Sequence, residues 1–330
     1  MEKDTTVKIT GLAEGDKVDF YQVLKWVDGA GWQLAPGFAS LSTNASIAKL
    51  IDAANQDQVE LSKADVEAIT TAAKAAIATN KNTPITGFTT ATATVGTGAT
   101  SVEPTVALGM WLALVTPNDV DTVYNPIIVS ADFTVGSNVV DSSDNMGTAP
   151  TVAKKETITL EKTTAEITLN TGDAVQFTVT TTIPAYADSY VNPKFNMHDQ
   201  LSTGLKFVVD STHPFTVSSG DVTYTGAPAT NDTNFTLTFD TAKIAALVAP
   251  QPVTVTYYAK LTSEAPWNIN EETNDVTVEF SNNPGDDTDH SHLKDEVKEY
   301  TFDIDSTIFG GKDYITGEIV KVGVDRKKYS

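Results

Sequence analysis

The sequence contains no cysteine. Disulfides, thiolate nucleophiles and cysteine-ligated zinc or iron–sulfur sites are therefore excluded, and any covalent staple must come from other side chains. Cations are scarce: 22 Lys and Arg stand against 43 Asp and Glu, a formal charge of −21. A duplex-binding surface needs clustered cations on phosphates, so neither nucleic acid nor an anionic membrane surface is an expected partner. No apolar run approaches the roughly 20 residues of a membrane span, and the N-terminal MEKDTTVKIT has no basic stretch followed by an apolar one. The expectation is a cytoplasmic chain or one whose targeting segment lies outside this sequence.

Catalytic signatures are missing as well. There is no Gly-rich phosphate loop, no HExxH and no GxSxG, and the four histidines are His198, His213, His290 and His292. No turnover enzyme and no cofactor is expected. The run Asp286-Asp287-Thr288-Asp289-His290-Ser291-His292 gathers carboxylates and imidazoles. It lacks the glycine and distal acid of a calcium loop, so it reads as a solvated acidic loop and no metal is assigned. A carboxylate glycosidase on a β-sandwich needs two acids about 5–10 Å apart in one cleft, and nothing in the sequence nominates the pair.

What is present is threonine, spread through stretches such as TITLEKTTAEITLNTG and TVTTTIP that are rich in β-branched residues. The chain therefore reads as mainly β, and 330 residues suit two or three domains. Abundant Thr and Asn with few cations fit a secreted or cell-surface protein. Thr6 to Leu24 alternates around the turn Ala13-Glu14-Gly15-Asp16, which predicts a β-hairpin. From Asn44 to Asn80 the period changes. Ile47, Leu50 and Ile51 mark a short helix, and Val66, Ile69, Ala73 and Ile77 mark a second, with Ser62 as its N-cap: a helical insertion laid on a β-domain. Gly109 to Val115 and Tyr124 to Val129 are nearly continuous in apolar character, which predicts burial on both faces.

The polar, Gly- and Pro-bounded segment Gly136 to Pro150 reads as a linker, with a boundary near Ala149. The expected domains are 1–149, 150–303 and 304–330. The second carries seven or more alternating strands, among them Val175/Phe177/Val179, Phe235/Leu237/Phe239, Val253/Val255/Tyr257 and Val276/Val278/Phe280, the pattern of an immunoglobulin-like sandwich. A short helix is expected over Thr241 to Leu247. After Tyr300 the string Glu318-Ile319-Val320-Lys321-Val322 starts a further domain that the sequence does not complete. The fold class expected is thus tandem immunoglobulin-like β-sandwiches, the first with a short helical insertion.

Two strings in the second domain carry a resemblance. Asp199-Gln200-Leu201-Ser202-Thr203-Gly204-Leu205-Lys206-Phe207 has the form DxLxxGLxF, and Asn274 opens NDVTVEFSNNP, both following TGDAVQFTVTTTIP. Together they resemble the CnaA-type domain of sortase-assembled Gram-positive fimbrial subunits, isopeptide-forming backbone pilins. GMWLALV with VYNPIIVSADF resembles the N-terminal pilin domain. YTFDIDSTIFGG with EIVKVGVD resembles the junction to a CnaB-type domain, so the likeness spans nearly the whole chain.

That resemblance implies an autocatalytic Lys–Asn isopeptide bond, with Asp199 as the assisting acid, Asn274 as the acceptor and a lysine of the domain's first strand as donor. Lys154 and Lys155 both qualify. Alternation favours Lys154, which shares parity with Val152, Ile158 and Leu160; a bulge hands the role to Lys155, and Lys162 is a third choice. The chemistry needs burial. An ε-ammonium has no lone pair, so the amine must be neutral to attack, and a dry site disfavours its charge. The same dryness keeps the Asp199 carboxyl protonated and able to donate to the Asn274 carbonyl.

For the first domain Lys8 is the natural donor, without an evident acid and Asn pair; Lys321 is its counterpart in the incomplete third domain. The family's WxxxVYPK-like pilin motif is absent from VGSNVVDSSDNMGTAP, so Lys155 is the candidate for sortase linkage if Lys154 turns inward. No LPXTG-type sorting signal is present. The resemblance implies a structural subunit of a cell-wall-anchored extracellular pilus. Its partners are then other pilin subunits joined covalently head to tail and a class C-type pilus sortase, with no membrane association after processing. The competing expectation is an adhesin of the same modules, binding a host glycan or matrix protein through loops around Trp26 to Trp32 or Trp267.

Overall fold

The computed structural model describes residues 4–27, 29–52, 61–133, 139–140, 151–165, 168–169, 171–187, 190, 192–265, 271–284 and 288–301. The molecule is mainly β, as composition requires. Its first domain is organised around the strand Gly109–Thr116, which pairs antiparallel with Lys17–Val27 on one side and Ile127–Phe133 on the other. Gly31–Leu34 and Thr90–Thr94 add to the Lys17–Val27 strand. Every residue from Gly109 to Val115 is buried. Trp111, Ala113 and Val115 enter a core with Val18 and Phe20, while Met110, Leu112 and Leu114 enter a second core with Ile47, Ile69 and Ala73 of the helices. The unbroken apolar run is thus a strand with a β-layer on one face and a helical layer on the other.

The helices span Ala45–Ile51 and Lys63–Asn82. Ser62 caps the longer one in a capping box with Asp65. Asp65 also joins the two N-termini, because its carboxylate accepts from Asn44 Nδ2 at 3.0 Å and from Ser46 Oγ at 2.9 Å. The Ser62 hydroxyl, first among these donors, helps hold its carboxyl down to about 2.

The opening hairpin is not formed, although its turn is. Ile9–Thr10 pairs with Ser101–Val102 and, in parallel, with Thr151–Val152, whereas Lys17–Val27 joins the main sheet. Asp16 is the reason. Fully buried, it accepts from Ala13 N at 2.7 Å, Asn118 N at 2.9 Å and Tyr124 Oη at 2.6 Å, so tertiary partners turn the chain between two sheets.

After residue 150 the chain stays on first-domain strands for several residues. Thr151–Val152 pairs with Ile9–Thr10, and Lys155–Thr157 pairs with Thr122–Tyr124. Ile158 then enters the second core, where Val123 also lies. The expected boundary near Ala149 and the expected third domain from 304 fall outside the described residues.

The second domain is two sheets face to face. One carries Leu160–Thr164, Ala174–Ile183, Gln251–Leu261 and Leu205–Val208 in that order, with Thr216–Ser218 also on Gln251–Leu261. The other runs Thr168–Leu169, His290–Thr301, Glu271–Ser281, Phe195–Leu201, Asn234–Phe239 and Tyr224–Thr225. Alternate residues point inward, and Phe177, Phe195, Phe207, Tyr257 and Phe280 fill the space between. The helix expected after Phe239 covers Thr241–Ala245, capped by the Asp240 carboxylate.

Replacing Asp65 by Ala is expected to cost about 1–2 kcal/mol, because it removes the shared cap of both helices. Thermal unfolding followed by far-UV circular dichroism should show the helical signal lost at lower temperature than in wild type. An unchanged melt would contradict the capping argument.

Candidate functional site

Four polar side chains meet in the interior of the second sandwich. Lys162 lies on Leu160–Thr164, the edge of the first sheet, and Tyr257 on Gln251–Leu261 of the same sheet. Asp199 and Asn274 lie on neighbouring strands of the second sheet; Asn274 is registered opposite Leu201, and Asp199 opposite Val276. That register makes the two diagonal neighbours on the inward face. Lys162 is 4% exposed, while Asp199 and Asn274 are fully enclosed.

The hydrogen bonds close on one another. Lys162 Nζ donates to Asp199 Oδ2 at 2.8 Å and also to Asn274 Oδ1. Tyr257 Oη donates to the same Asp199 Oδ2 at 2.7 Å and accepts from Asn274 Nδ2 at 2.9 Å. Asp199 Oδ1 is buried without a partner. The rings of Phe177 and Tyr257 lie 6.0 and 5.7 Å from the amine.

Burial dominates the electrostatics. It lowers the pKa of Lys162 and raises that of Asp199, each against the opposing pull of the other's charge. The two stand at ion-pair distance, yet both shifts run toward the uncharged amine and the uncharged acid, and dehydration is the larger influence on each. A neutral amine is a nucleophile, and here it touches a carboxamide and an acid at once. The arrangement is chemically equipped for acyl transfer from Asn274 to Lys162 with release of ammonia.

The structure does not bring Lys154 or Lys155 into this site. Lys154 is exposed, its carbonyl accepting from Asn125 N at 3.0 Å; Lys155 is exposed with its amine 5.7 Å from the Tyr124 ring. Lys162, the third choice of the sequence, is the lysine that meets Asp199 and Asn274. Residues 151–157 are held by first-domain strands, so the sandwich's first strand begins at Leu160. Parity holds only from Ile158 onward, where Ile158 and Lys162 turn inward with Leu160 packed against the core; Val152 and Lys154, of the same parity, are exposed on the connector. Sequence reasoning did not single out Tyr257, whose phenol reads as one more inward aromatic of VTVTYYAK.

Elsewhere the candidates disperse. Lys8 pairs with Glu103 at the surface. Trp26 and Trp32 face each other across a hairpin, ring centroids 5.2 Å apart and edge to face. Trp267, Lys321, Asp286 and Asp287 lie outside the described residues. Among the described residues no cluster of His, Asp and Glu has the geometry of a metal site.

No family model matches the chain, and no curated protein sequence does. Solved structures do. The T6 backbone pilin of serotype M6 Streptococcus pyogenes, with its modular three-domain structure, aligns over 92% of this chain and 64% of its own at TM-score 0.62 and 18% identity. The full-length major pilin SpaD of Corynebacterium diphtheriae aligns over 90% of this chain and 66% of its own at TM-score 0.53 and 19% identity. The chain has the backbone-pilin fold. It spans about two thirds of the length of these two pilins.

In this pilin fold, two further acids are buried on the sheet that carries Asn274. Glu272 and Glu299 are registered directly opposite each other on adjacent strands, 2% and 1% exposed. Glu272 accepts from Ser202 Oγ and from Gly204 N; Glu299 accepts from Thr164 Oγ1 at 3.0 Å, and its Oε2 has no partner. Burial pushes the Glu299 carboxyl up to about 7; the Thr164 hydroxyl and the Lys162 charge oppose the rise, and Glu272 adds to it. Conversion of the amine to a neutral amide would remove one opposing influence.

A carboxyl whose pKa is raised by folding stabilises the folded state fully below its ordinary value near 4.5, and this contribution disappears as pH climbs toward 7. Wild type should therefore lose about 1–2 kcal/mol relative to Glu299→Gln across that interval, after allowance for solvent screening. Thermal midpoints of both proteins between pH 4 and 8 check this, and parallel curves would contradict it.

Proposed function

We propose that the protein is a structural subunit of an extracellular, cell-wall-anchored pilus, stiffened by an autocatalytic isopeptide bond between Lys162 and Asn274 with Asp199 as the assisting acid. The observation that carries this reading is the enclosure of an amine, a carboxyl and a carboxamide in mutual contact between two sheets of a backbone-pilin fold. Residues 162 and 274 are 112 positions apart, so the bond would close a long loop and join the two sheets. On the loop-entropy model of crosslinks that is worth about 4–5 kcal/mol. The subunit's partners in this reading are further copies joined head to tail and the sortase that joins them. Its chemistry is a single internal turnover.

Intact-mass measurement tests the bond. Wild type is expected to be lighter than its sequence mass by one ammonia; Lys162→Ala, Asp199→Ala and Asn274→Ala should each lose that deficit, and Lys154→Ala should keep it. The three deficient variants should melt about 10–20 °C lower. A wild-type chain of full sequence mass would end the proposal.

Lys155, exposed where the chain passes between the domains, is the proposed site of sortase linkage. Peptide mapping of native fibres should recover Lys155 in a branched peptide with the C-terminal residues of the next subunit, and a branch at any other lysine would refute the assignment.

A further inference from the structure

Building on the isopeptide reading, we infer that Tyr257 is a catalytic residue of bond formation, carrying a proton from Asp199 to the departing nitrogen of Asn274. Its ring is accounted for by packing: it stacks on Phe177 at 5.4 Å and meets Phe207 and Phe235 edge to face. A phenylalanine would fill that space equally well. What packing leaves unexplained is the hydroxyl. Buried phenols need a partner, and this one bonds Asp199 Oδ2 and Asn274 Nδ2, the assisting acid and the leaving group.

The geometry supplies a complete path. Lys162 Nζ lies 2.8 Å from Asp199 Oδ2, that oxygen lies 2.7 Å from Tyr257 Oη, and Tyr257 Oη lies 2.9 Å from Asn274 Nδ2. An amide nitrogen is not basic, so before reaction Nδ2 donates to the phenol. Attack by the neutral amine forms the Nζ–Cγ bond and makes Cγ tetrahedral, and Nδ2 then acquires an amine's lone pair. The phenol turns its proton onto Nδ2, the Cγ–Nδ2 bond breaks, and ammonia leaves. Asp199 reprotonates the phenol and takes one proton from Nζ. The balance is one bond made, one broken and one proton moved from Nζ to Nδ2, with Asp199 and Tyr257 returned to their starting forms. Without the phenol, Asp199 must serve both nitrogens, although among the described residues it is the Tyr257 hydroxyl that bonds Nδ2.

The test is the rate of ammonia loss. Wild type and Tyr257→Phe are made by pulsed cell-free synthesis and chased, with intact mass read over time. Removing a positioned proton carrier should slow the loss about 100-fold or more while still allowing slow completion. Equal rates in a Tyr257→Phe chain of native circular dichroism would overturn the inference and leave the isopeptide reading standing. A wild-type chain that never loses ammonia would overturn both. Should Tyr257→Phe fail to fold, a fluorinated tyrosine in place of Tyr257 keeps the shape and makes the hydroxyl more acidic. Its rate–pH profile should shift from that of wild type, a change that a packing role would not produce; coincident profiles would refute the proton path.

Discussion

Taking one amine out of water is the constraint on which the second domain depends. An ammonium inside a sandwich walled by Phe177 and Tyr257 loses its hydration, and the loss is recovered only through partners that meet it in fixed directions. Asp199 and Asn274 are those partners, and the Tyr257 hydroxyl joins the two, so the polar groups of the cluster are coupled to one another. The sheets must therefore hold a single register. A one-residue slip of Glu271–Ser281 against Phe195–Leu201 would turn Asn274 toward solvent and leave the amine facing an apolar wall.

The first domain solves a comparable problem without a lysine. Asp16 is as deeply buried as Asp199, but two backbone N–H groups and the Tyr124 hydroxyl surround it. Such a carboxylate is a latch and has no nucleophile beside it. The same domain shows how an insertion becomes integral. Two helices cover Met110, Leu112 and Leu114, a face that would otherwise lie open to water, so strand and helices stabilise each other.

Legibility in the sequence followed the range of the interactions involved. Alternation and caps are local, so the strands around Phe177, Leu237 and Val278, the Ser62 cap and the doubly covered run at Gly109 could be read directly. Asp199 and Asn274 stood out through the strings that contain them. Lys162 ranked below Lys154 because parity is common to residues 154, 158, 160 and 162, and only pairing with the first domain separates the connector from the sandwich. The strand Phe195–Leu201 was obscured by an acid on its inward face, and His290–Thr301 by its many charges. Glu272 and Glu299 likewise resemble a solvated strand face, and nothing local distinguishes a buried glutamate whose donors lie some 70 or 135 positions away.

The placement of Lys162 only a few residues after the connector has a mechanical consequence. Pull delivered through the strand at Lys155–Thr157 arrives at residue 162 almost at once. With a covalent tie to Asn274 it would cross to the other sheet there and leave along Glu271–Ser281 and His290–Thr301. The polypeptide from 163 to 273 would be bypassed by the load path, so most of the sandwich could neither unravel nor lengthen, and its loops would be free to vary without weakening that path.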